Sequence, residues 1–152
     1  MTGSDQSDIV GPFYFDASAL VKLYVPSQYS YVLNRDFAGR KDLVLSELSI
    51  TEVTSAICRL RREGDLTQAD INQIHRRLLL DVAKETFENG ELTSNVHRDA
   101  EKRLLASEEI ELRAADALHL ELALASRCQT MVTYDRRLAE ASRRHGLVVY
   151  PD

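Results

Sequence analysis

The sequence predicts a single α/β domain with a mainly parallel central sheet. Short apolar segments typical of buried strands alternate with amphipathic helical segments along the chain, which is the order that parallel strands and their crossovers require. With 152 residues, the chain has the length of one domain. Hydrophobic residues make up 44% and charged residues 28% of the chain, close to the average for globular proteins. These proportions argue against disorder.

The first predicted strand is PFYF, residues 12–15, directly ahead of Asp16, and two short helices follow it. In SALVKLYV the apolar residues have helical spacing, and Ser18 is the predicted N-cap. Pro26 ends this helix, because proline is unfavourable inside a helix. A second helix is predicted in SQYSYVLNRDFAG, residues 27–39.

The second predicted strand is DLVLS, residues 42–46, which is rich in leucine and valine. A strongly amphipathic helix follows and ends at Gly64. Ser49 and Glu52 have the spacing of a capping box, so this helix is predicted to open with them.

The second half of the chain continues the alternation. Thr67 and Asp70 repeat the capping-box spacing at the start of the next predicted helix. Two more helices are predicted in VHRDAEKRLLA and ELRAADALHLELALASR, whereas TFENGELTSN before them fits a strand or a loop. A strand in TMVTYD, residues 130–135, a helix in DRRLAEASRRHG and a final strand in LVVYP complete the pattern.

The bulk properties exclude several classes of protein. Residues 1–12 are predicted to be a short polar segment ahead of one domain spanning 13–152, and they lack the apolar core of a secretory signal. No apolar run is long enough to span a membrane, so a cytoplasmic location is expected. The net charge of −5 argues against a generally basic nucleic-acid binder, although local basic patches are compatible with it. Two distant cysteines form neither a disulfide framework nor a Cys-based zinc site.

Acidic residues fall at the positions where α/β proteins place their functional sites. In an open parallel sheet, the functional crevice lies beyond the carboxyl ends of the strands. Asp16 follows FYF, Asp135 ends TMVTYD, and Glu52 lies in the predicted first helical turn after DLVLS. Asp116 lies in a helix that is apolar on nearly every side, and buried acids are rare unless they are paired or bind a metal.

Each of these acids also has a structural interpretation. Asp16 fits a turn residue, Glu52 fits a capping box, and Asp135 fits a helix cap. Asp116 fits an acceptor near its helix N-terminus, where the helix dipole favours a negative charge. Taken singly, the structural and functional interpretations of each acid stay open.

Taken together, the four acids favour a cation site. Carboxylates that converge on one crevice repel one another by about 4 kcal/mol per close pair at an effective dielectric near 20, so such clusters persist when cations neutralise them. Mg²⁺ and Mn²⁺ prefer oxygen ligands and retain several waters, so a few carboxylates suffice. Ser18 and Thr133 are candidate supporting hydroxyls, and helix capping and strand propensity are their alternative roles. In an extended strand, Thr133 and Asp135 would point to the same face.

Four segments carrying these acids resemble the successive motifs of PIN-domain nucleases, and most closely those of VapC toxins from bacterial toxin–antitoxin pairs. The segments are YFDASALVKLYV, LSELSITEVTSAICRL, LRAADALHLELALA and MVTYDRRLAEAS. The resemblance runs from about Phe13 to Tyr150, with the acids in the family's order.

The resemblance implies both a fold and an activity. The fold is a PIN-like three-layer α/β/α sandwich, and the activity is Mg²⁺- or Mn²⁺-dependent hydrolysis of RNA, with tRNA or rRNA as the expected substrate. It assigns the metal-binding and catalytic acids and two supporting hydroxyls, which are Asp16, Glu52, Asp116, Asp135, Ser18 and Thr133. It further implies a homodimer and a cognate VapB-like antitoxin that holds the toxin inactive.

Other functions remain to be weighed against this one. A PIN nuclease of RNA processing or quality control, and a catalytically silent PIN interaction module, share the fold. A haloacid dehalogenase-type phosphatase would require a second Asp where Ser18 stands. The four histidines are scattered without an evident acid–base pair, and we expect His119 to pack or support rather than act as a base. Glu47 is expected to be peripheral.

Overall fold

Residues 9–152 are described by the computed structural model of the protein, and they form a five-stranded sheet with the order β3-β2-β1-β4-β5. Every neighbouring pair of strands is parallel, which confirms the predicted sheet. The strands are β1 Phe13–Phe15, β2 Leu43–Ser46, β3 Glu88–Gly90, β4 Thr130–Val132 and β5 Val148–Tyr150. β3 lies in the segment that the sequence left open between strand and loop.

Seven helices connect and cover the strands in residues 9–152. They are α1 Ala17–Tyr24, α2 Gln28–Phe37, α3 Glu47–Arg62, α4 Gln68–Ala83, α5 Ser94–Ala106, α6 Ala114–Ala125 and α7 Arg136–Arg144. The capping box predicted for Thr67 and Asp70 is present at the start of α4, with both hydrogen bonds formed. None of the helices in this part of the chain is both long and apolar enough to cross a membrane.

The sheet separates two hydrophobic cores, which makes the three-layer sandwich. Side chains alternate along β1, because successive residues of a strand point to opposite faces. Phe13 and Phe15 join the core formed with α1 to α4, and the ring of Phe15 packs edge-on against Phe37 and Phe87. Tyr14 faces the other core, formed with α5 to α7. The middle strand is therefore fully buried between the two helical layers.

The predicted cap of α1 is wrong: Asp16, not Ser18, is its N-cap. Asp16 has extended backbone angles, and its side chain accepts a hydrogen bond from the backbone N–H of Ala19. Because α1 starts at Ala17, Ser18 lies within the first turn, where its hydroxyl is free to bond elsewhere.

The capping box predicted for Ser49 and Glu52 is also wrong. The cap lies three residues earlier, because Ser46 at the end of β2 caps the helix by accepting a hydrogen bond from the N–H of Ser49. Glu52 therefore lies in the second turn of α3 rather than the first. Glu47 is exposed at the start of the helix, as expected of a peripheral residue.

The strand predicted over 130–135 ends at Val132, so Thr133 and Asp135 do not share a strand face. The reason is local: the Thr133 hydroxyl accepts a hydrogen bond from the N–H of Asp135, which turns the chain into α7. The polar segment predicted at residues 1–12 falls in part on residues 1–8, which lie outside the described residues. That division of the chain stays a prediction.

Candidate active site

Two neighbouring strands deliver the first elements of the site. β1 and β4 are parallel partners, with Phe15 opposite Val132. Asp16 and Thr133 follow these two residues and therefore meet at the carboxyl edge of the sheet. The N–H of Asp16 continues the ladder by donating to the carbonyl of Val132 at 3.3 Å.

Asp16 is the buried centre of a hydrogen-bond network. Its Oδ1 accepts from the Ser18 hydroxyl at 2.7 Å and from the N–H of Ala19 at 2.9 Å. Its Oδ2 accepts from the Thr133 hydroxyl at 2.6 Å. The hydroxyl of Ser18 in turn accepts from the N–H of Tyr134 at 2.8 Å. Ser18 and Thr133 thus each donate to one oxygen of Asp16, and their role as supporting hydroxyls of a catalytic site stays a prediction.

Burial leaves the charge of Asp16 poorly compensated. Only 4% of the residue is exposed. Loss of hydration raises the pKa of its carboxyl, although the three hydrogen bonds and the nearby His119 oppose that shift. The hydrogen bonds therefore fix the position of the carboxylate, but they compensate only part of the cost of burying its charge.

Asp116 and Asp135 bring two further carboxylates to the same edge. Asp116 is 6% exposed, lies in the first turn of α6 and accepts a hydrogen bond from the N–H of Arg113 at 3.1 Å. Asp135 caps α7 by accepting from the N–H of Arg137 at 2.9 Å. Burial raises the pKa of the Asp116 carboxyl, and the negative charge of Asp135 raises it further. The two acids therefore act on each other electrostatically.

Glu52 reaches the site through His119. Nε2 of His119 is hydrogen-bonded to Oε1 of Glu52. The other ring nitrogen, Nδ1, lies 2.8 Å from the Tyr14 oxygen, so the imidazole links Glu52 to Tyr14. His119 is 4% exposed, one helical turn beyond Asp116, so it connects α3 and α6.

The buried Tyr14 extends the connection between Glu52 and His119 into the core. The Tyr14 hydroxyl contacts the Ser46 hydroxyl at 2.8 Å and the Ser49 hydroxyl at 3.3 Å. The Ser49 hydroxyl donates to the carbonyl of Phe15 at 3.1 Å. Burial raises the pKa of the Tyr14 phenol, so it stays protonated. The side chain of Glu52, which is 35% exposed, is thereby held at the end of a polar chain that starts in the core.

Replacing Tyr14 with Phe should destabilise the protein by about 1–3 kcal/mol, because the change removes a buried hydroxyl and leaves its partners unsatisfied. Urea denaturation monitored by circular dichroism measures the difference. Tyr31→Phe is the matched control, because Tyr31 is 71% exposed. Equal stability of the Tyr14→Phe and wild-type proteins would contradict the role given to the hydroxyl.

All six residues predicted for the site lie around this edge of the sheet, but they do not enclose an ion as they stand. Within residues 9–152, no group of three or more His, Cys, Asp and Glu side chains is arranged to hold a metal. The carboxylates accept hydrogen bonds from the protein instead.

The oxygen atoms of these residues nevertheless suit a divalent cation. They belong to carboxylates and hydroxyls, and Mg²⁺ and Mn²⁺ prefer oxygen ligands. The raised pKa values of Asp16 and Asp116 mark negative charge that a cation would compensate. The residues therefore fit such an ion chemically.

Sequence reasoning missed the structural connection from Ser46 and Ser49 through Tyr14 to His119. One signal was available: a tyrosine in a buried strand requires a partner for its hydroxyl. The partners themselves lie far away in the chain, 105 residues from Tyr14 in the case of His119.

Comparison with known proteins agrees with this geometry. The family model of the PIN domain matches residues 13–144. Ribonuclease VapC45 from Mycobacterium tuberculosis is 33% identical over 144 residues, which cover 91% of this chain and 94% of that protein.

Two crystal structures share the fold. That of Mycobacterium tuberculosis VapC20, a toxin that cleaves the sarcin–ricin loop, has a TM-score of 0.65 at 13% identity and covers 85% of this chain and 94% of its own. That of VapBC2 from Rickettsia felis, bound to a DNA fragment from its promoter, has a TM-score of 0.59 at 16% identity and covers 90% and 96%. The sheet order, the acids at its carboxyl edge and the matches along nearly the whole chain lead to one assignment: this chain belongs to the PIN-domain family and, within it, to the VapC-type proteins.

Proposed function

We propose that this protein is a Mg²⁺- or Mn²⁺-dependent ribonuclease that acts as the toxin of a toxin–antitoxin pair and inhibits translation and growth by hydrolysing RNA. The observation that carries the proposal is the convergence of Asp16, Glu52, Asp116 and Asp135 at one edge of the sheet, where two of them have raised pKa values. Membership of the VapC-type proteins supports the choice of RNA as the substrate.

The four carboxylates would hold the cation. Asp116 and Asp135 form its electrostatically coupled pair, Asp16 contributes a buried carboxylate, and Glu52 contributes the more accessible one. When bound, a divalent cation compensates phosphate charge and makes water a better nucleophile towards phosphorus.

The remaining residues position these acids. Ser18 and Thr133 each donate to one oxygen of Asp16, which orients its carboxylate. His119 fixes Glu52 from α6, which ties its position to that of Asp116 on the same helix. Such prior positioning lowers the cost of organising the site in the transition state.

The partners follow from the proposed role. The substrate is tRNA or rRNA, the regulator is a VapB-like antitoxin, and the toxin pairs with a second copy of itself in the cytoplasm. The VapBC2 structure from Rickettsia felis supports an antitoxin partner, because a chain of the same fold is part of that promoter-bound VapBC2. The basic residues of α7 are candidates for contact with RNA phosphates, although some already form ion pairs within the protein. Arg137, for example, lies 3.4 Å from Glu111.

Removing divalent cations tests the proposal. Purified protein dialysed against EDTA is expected to leave tRNA and rRNA intact, and addition of Mg²⁺ or Mn²⁺ should restore cleavage. Gel electrophoresis of the RNA measures the outcome, with Ca²⁺ as a third condition. RNA that remains intact at all metal concentrations would contradict the activity, and cleavage that persists in EDTA would contradict the metal dependence.

A further inference from the structure

Two tyrosines and a lysine form a surface cluster next to the site, outside the residues already assigned a role. Tyr29 of α2 and Tyr134, which lies between Thr133 and Asp135, pack edge to face with ring centroids 5.7 Å apart. The Nζ atom of Lys22 on α1 lies 4.1 Å from the centroid of Tyr29 and 5.9 Å from that of Tyr134. We call these three residues the Tyr29 cluster.

The backbone couples the Tyr29 cluster to the site. The N–H of Tyr134 donates to the Ser18 hydroxyl, and that hydroxyl donates to the carboxylate of Asp16. Tyr134 also directly precedes Asp135 in the chain. A phosphate bound at the acids would therefore place its neighbouring nucleotides next to this cluster.

The chemistry of the Tyr29 cluster suits a nucleotide. Tyr29 is 40% exposed, and because Lys22 lies over one face of its ring, a base would stack on the part of the ring that Lys22 leaves uncovered. Within residues 9–152, no carboxylate forms an ion pair with Lys22. A cation is needed here, because the adjacent acids repel a polyanion. Aromatic side chains beside a basic group are the combination by which proteins hold single-stranded nucleic acid.

We propose that the Tyr29 cluster is a binding site for an unpaired nucleotide that flanks the scissile phosphate, with the base stacked on Tyr29 and the neighbouring phosphate contacted by Lys22. The proposal rests on the proposed ribonuclease function and specifies its substrate as an unpaired region of RNA. Tyr134 holds Tyr29 in position by its edge-on contact. Because every base has an aromatic face, this site contributes affinity with little sequence preference.

Binding of a short fluorescein-labelled oligoadenylate, measured by fluorescence anisotropy in EDTA, tests the site. Tyr29→Ala should weaken this binding about tenfold, while Tyr29→Phe should retain it. A chain of the same length without bases separates stacking from charge: Tyr29→Ala should leave its affinity unchanged, and Lys22→Met should weaken binding of both chains. Tyr31→Ala is the matched control, because Tyr31 is an exposed tyrosine two residues away on α2.

Several outcomes would overturn the proposal. They are unchanged oligoadenylate affinity in Tyr29→Ala, equal weakening by Tyr31→Ala, or equal effects on the chain without bases. Wild-type protein that cleaves RNA while Tyr29→Ala binds normally refutes the nucleotide site alone. Wild-type protein that neither binds nor cleaves RNA refutes the ribonuclease function and this site with it. Thermal unfolding of each variant excludes loss of fold as the cause.

Discussion

Replacing Asp16 with Asn is expected to lower RNA cleavage by at least about a hundredfold, the scale of losing one group that organises charge in a transition state. The amide oxygen of Asn can still accept the hydrogen bonds from Ser18 and Ala19, so the first turn of α1 should remain capped. The negative charge, however, disappears from the centre of the site. Cleavage rates under saturating Mg²⁺, together with circular dichroism spectra, measure the two consequences separately.

Asp42→Asn is the matched control for Asp16→Asn. Asp42 is paired with Arg40 through hydrogen bonds of 2.9 and 2.8 Å next to the amino end of β2, at the opposite edge of the sheet from the site. Its replacement should weaken that pair but leave cleavage intact. Similar cleavage by Asp16→Asn and wild-type protein would remove Asp16 from the catalytic group.

Replacing Asp116 with Asn is expected to change stability and activity in opposite directions. The change removes a buried charge that burial and Asp135 both disfavour, and an amide can still accept from the N–H of Arg113. The metal-free variant should therefore unfold at a higher temperature than the metal-free wild type. Cleavage should fall by at least about a hundredfold, because the Asp116 carboxylate that disfavours folding is also the one that would bind the cation.

The pH dependence of this stability difference follows from the raised pKa of Asp116. A carboxyl whose pKa is raised in the folded state costs stability while it is ionised, and that cost is lost as the pH falls through the folded pKa. The stability advantage of Asp116→Asn should therefore be largest near neutral pH and should shrink on acidification. Thermal unfolding over a pH series measures the trend, and an advantage that grows on acidification would contradict it.

Replacing Glu121 with Gln, on the same helix, should have the opposite effect on stability. Glu121 is 7% exposed, similar to Asp116, but it is paired with Arg103 at 2.6 Å. Its replacement should lower stability by about 1–3 kcal/mol, because Arg103 loses a charged partner. The contrast separates an acid that stabilises the fold from one that does not.

The sequence predicts the strands of the sheet well, for a local physical reason. Buried strands such as FYF are recognised from composition, and the acid that follows each strand is then placed at the carboxyl edge by the parallel topology alone. Asp16 and Asp135 were predicted in this way, whereas Asp116 was singled out because it lies in a helix that is apolar on nearly every side.

The caps were less predictable, because several residues at one helix start compete for the same role. At α1, Asp16 and Ser18 both suit an N-cap, and the extended backbone of Asp16 decides in its favour. At α3, Ser46 ends the strand and caps the helix at once, which moves Glu52 into the second turn. Asp16 is therefore the cap of α1 as well as a predicted site residue.

Long-range polar contacts could not be predicted at all. The hydrogen bond between Glu52 and His119 joins residues that are 67 positions apart. Periodicity places both on helices but says nothing about which helices face each other. The packing of α3 and α6 on opposite sides of the sheet, with Tyr14 between them, is a property of the folded chain.

Direct titration with Mn²⁺, monitored by electron paramagnetic resonance, tests the central claim that the four carboxylates form a divalent-cation site. Wild-type protein should bind Mn²⁺ saturably, and Asp116→Asn should bind at least about tenfold more weakly, since even residues that only support metal ligands have effects of that size. Glu121→Gln should bind as the wild type does. Absence of saturable binding to the wild type, or equal affinity in Asp116→Asn, would contradict the account.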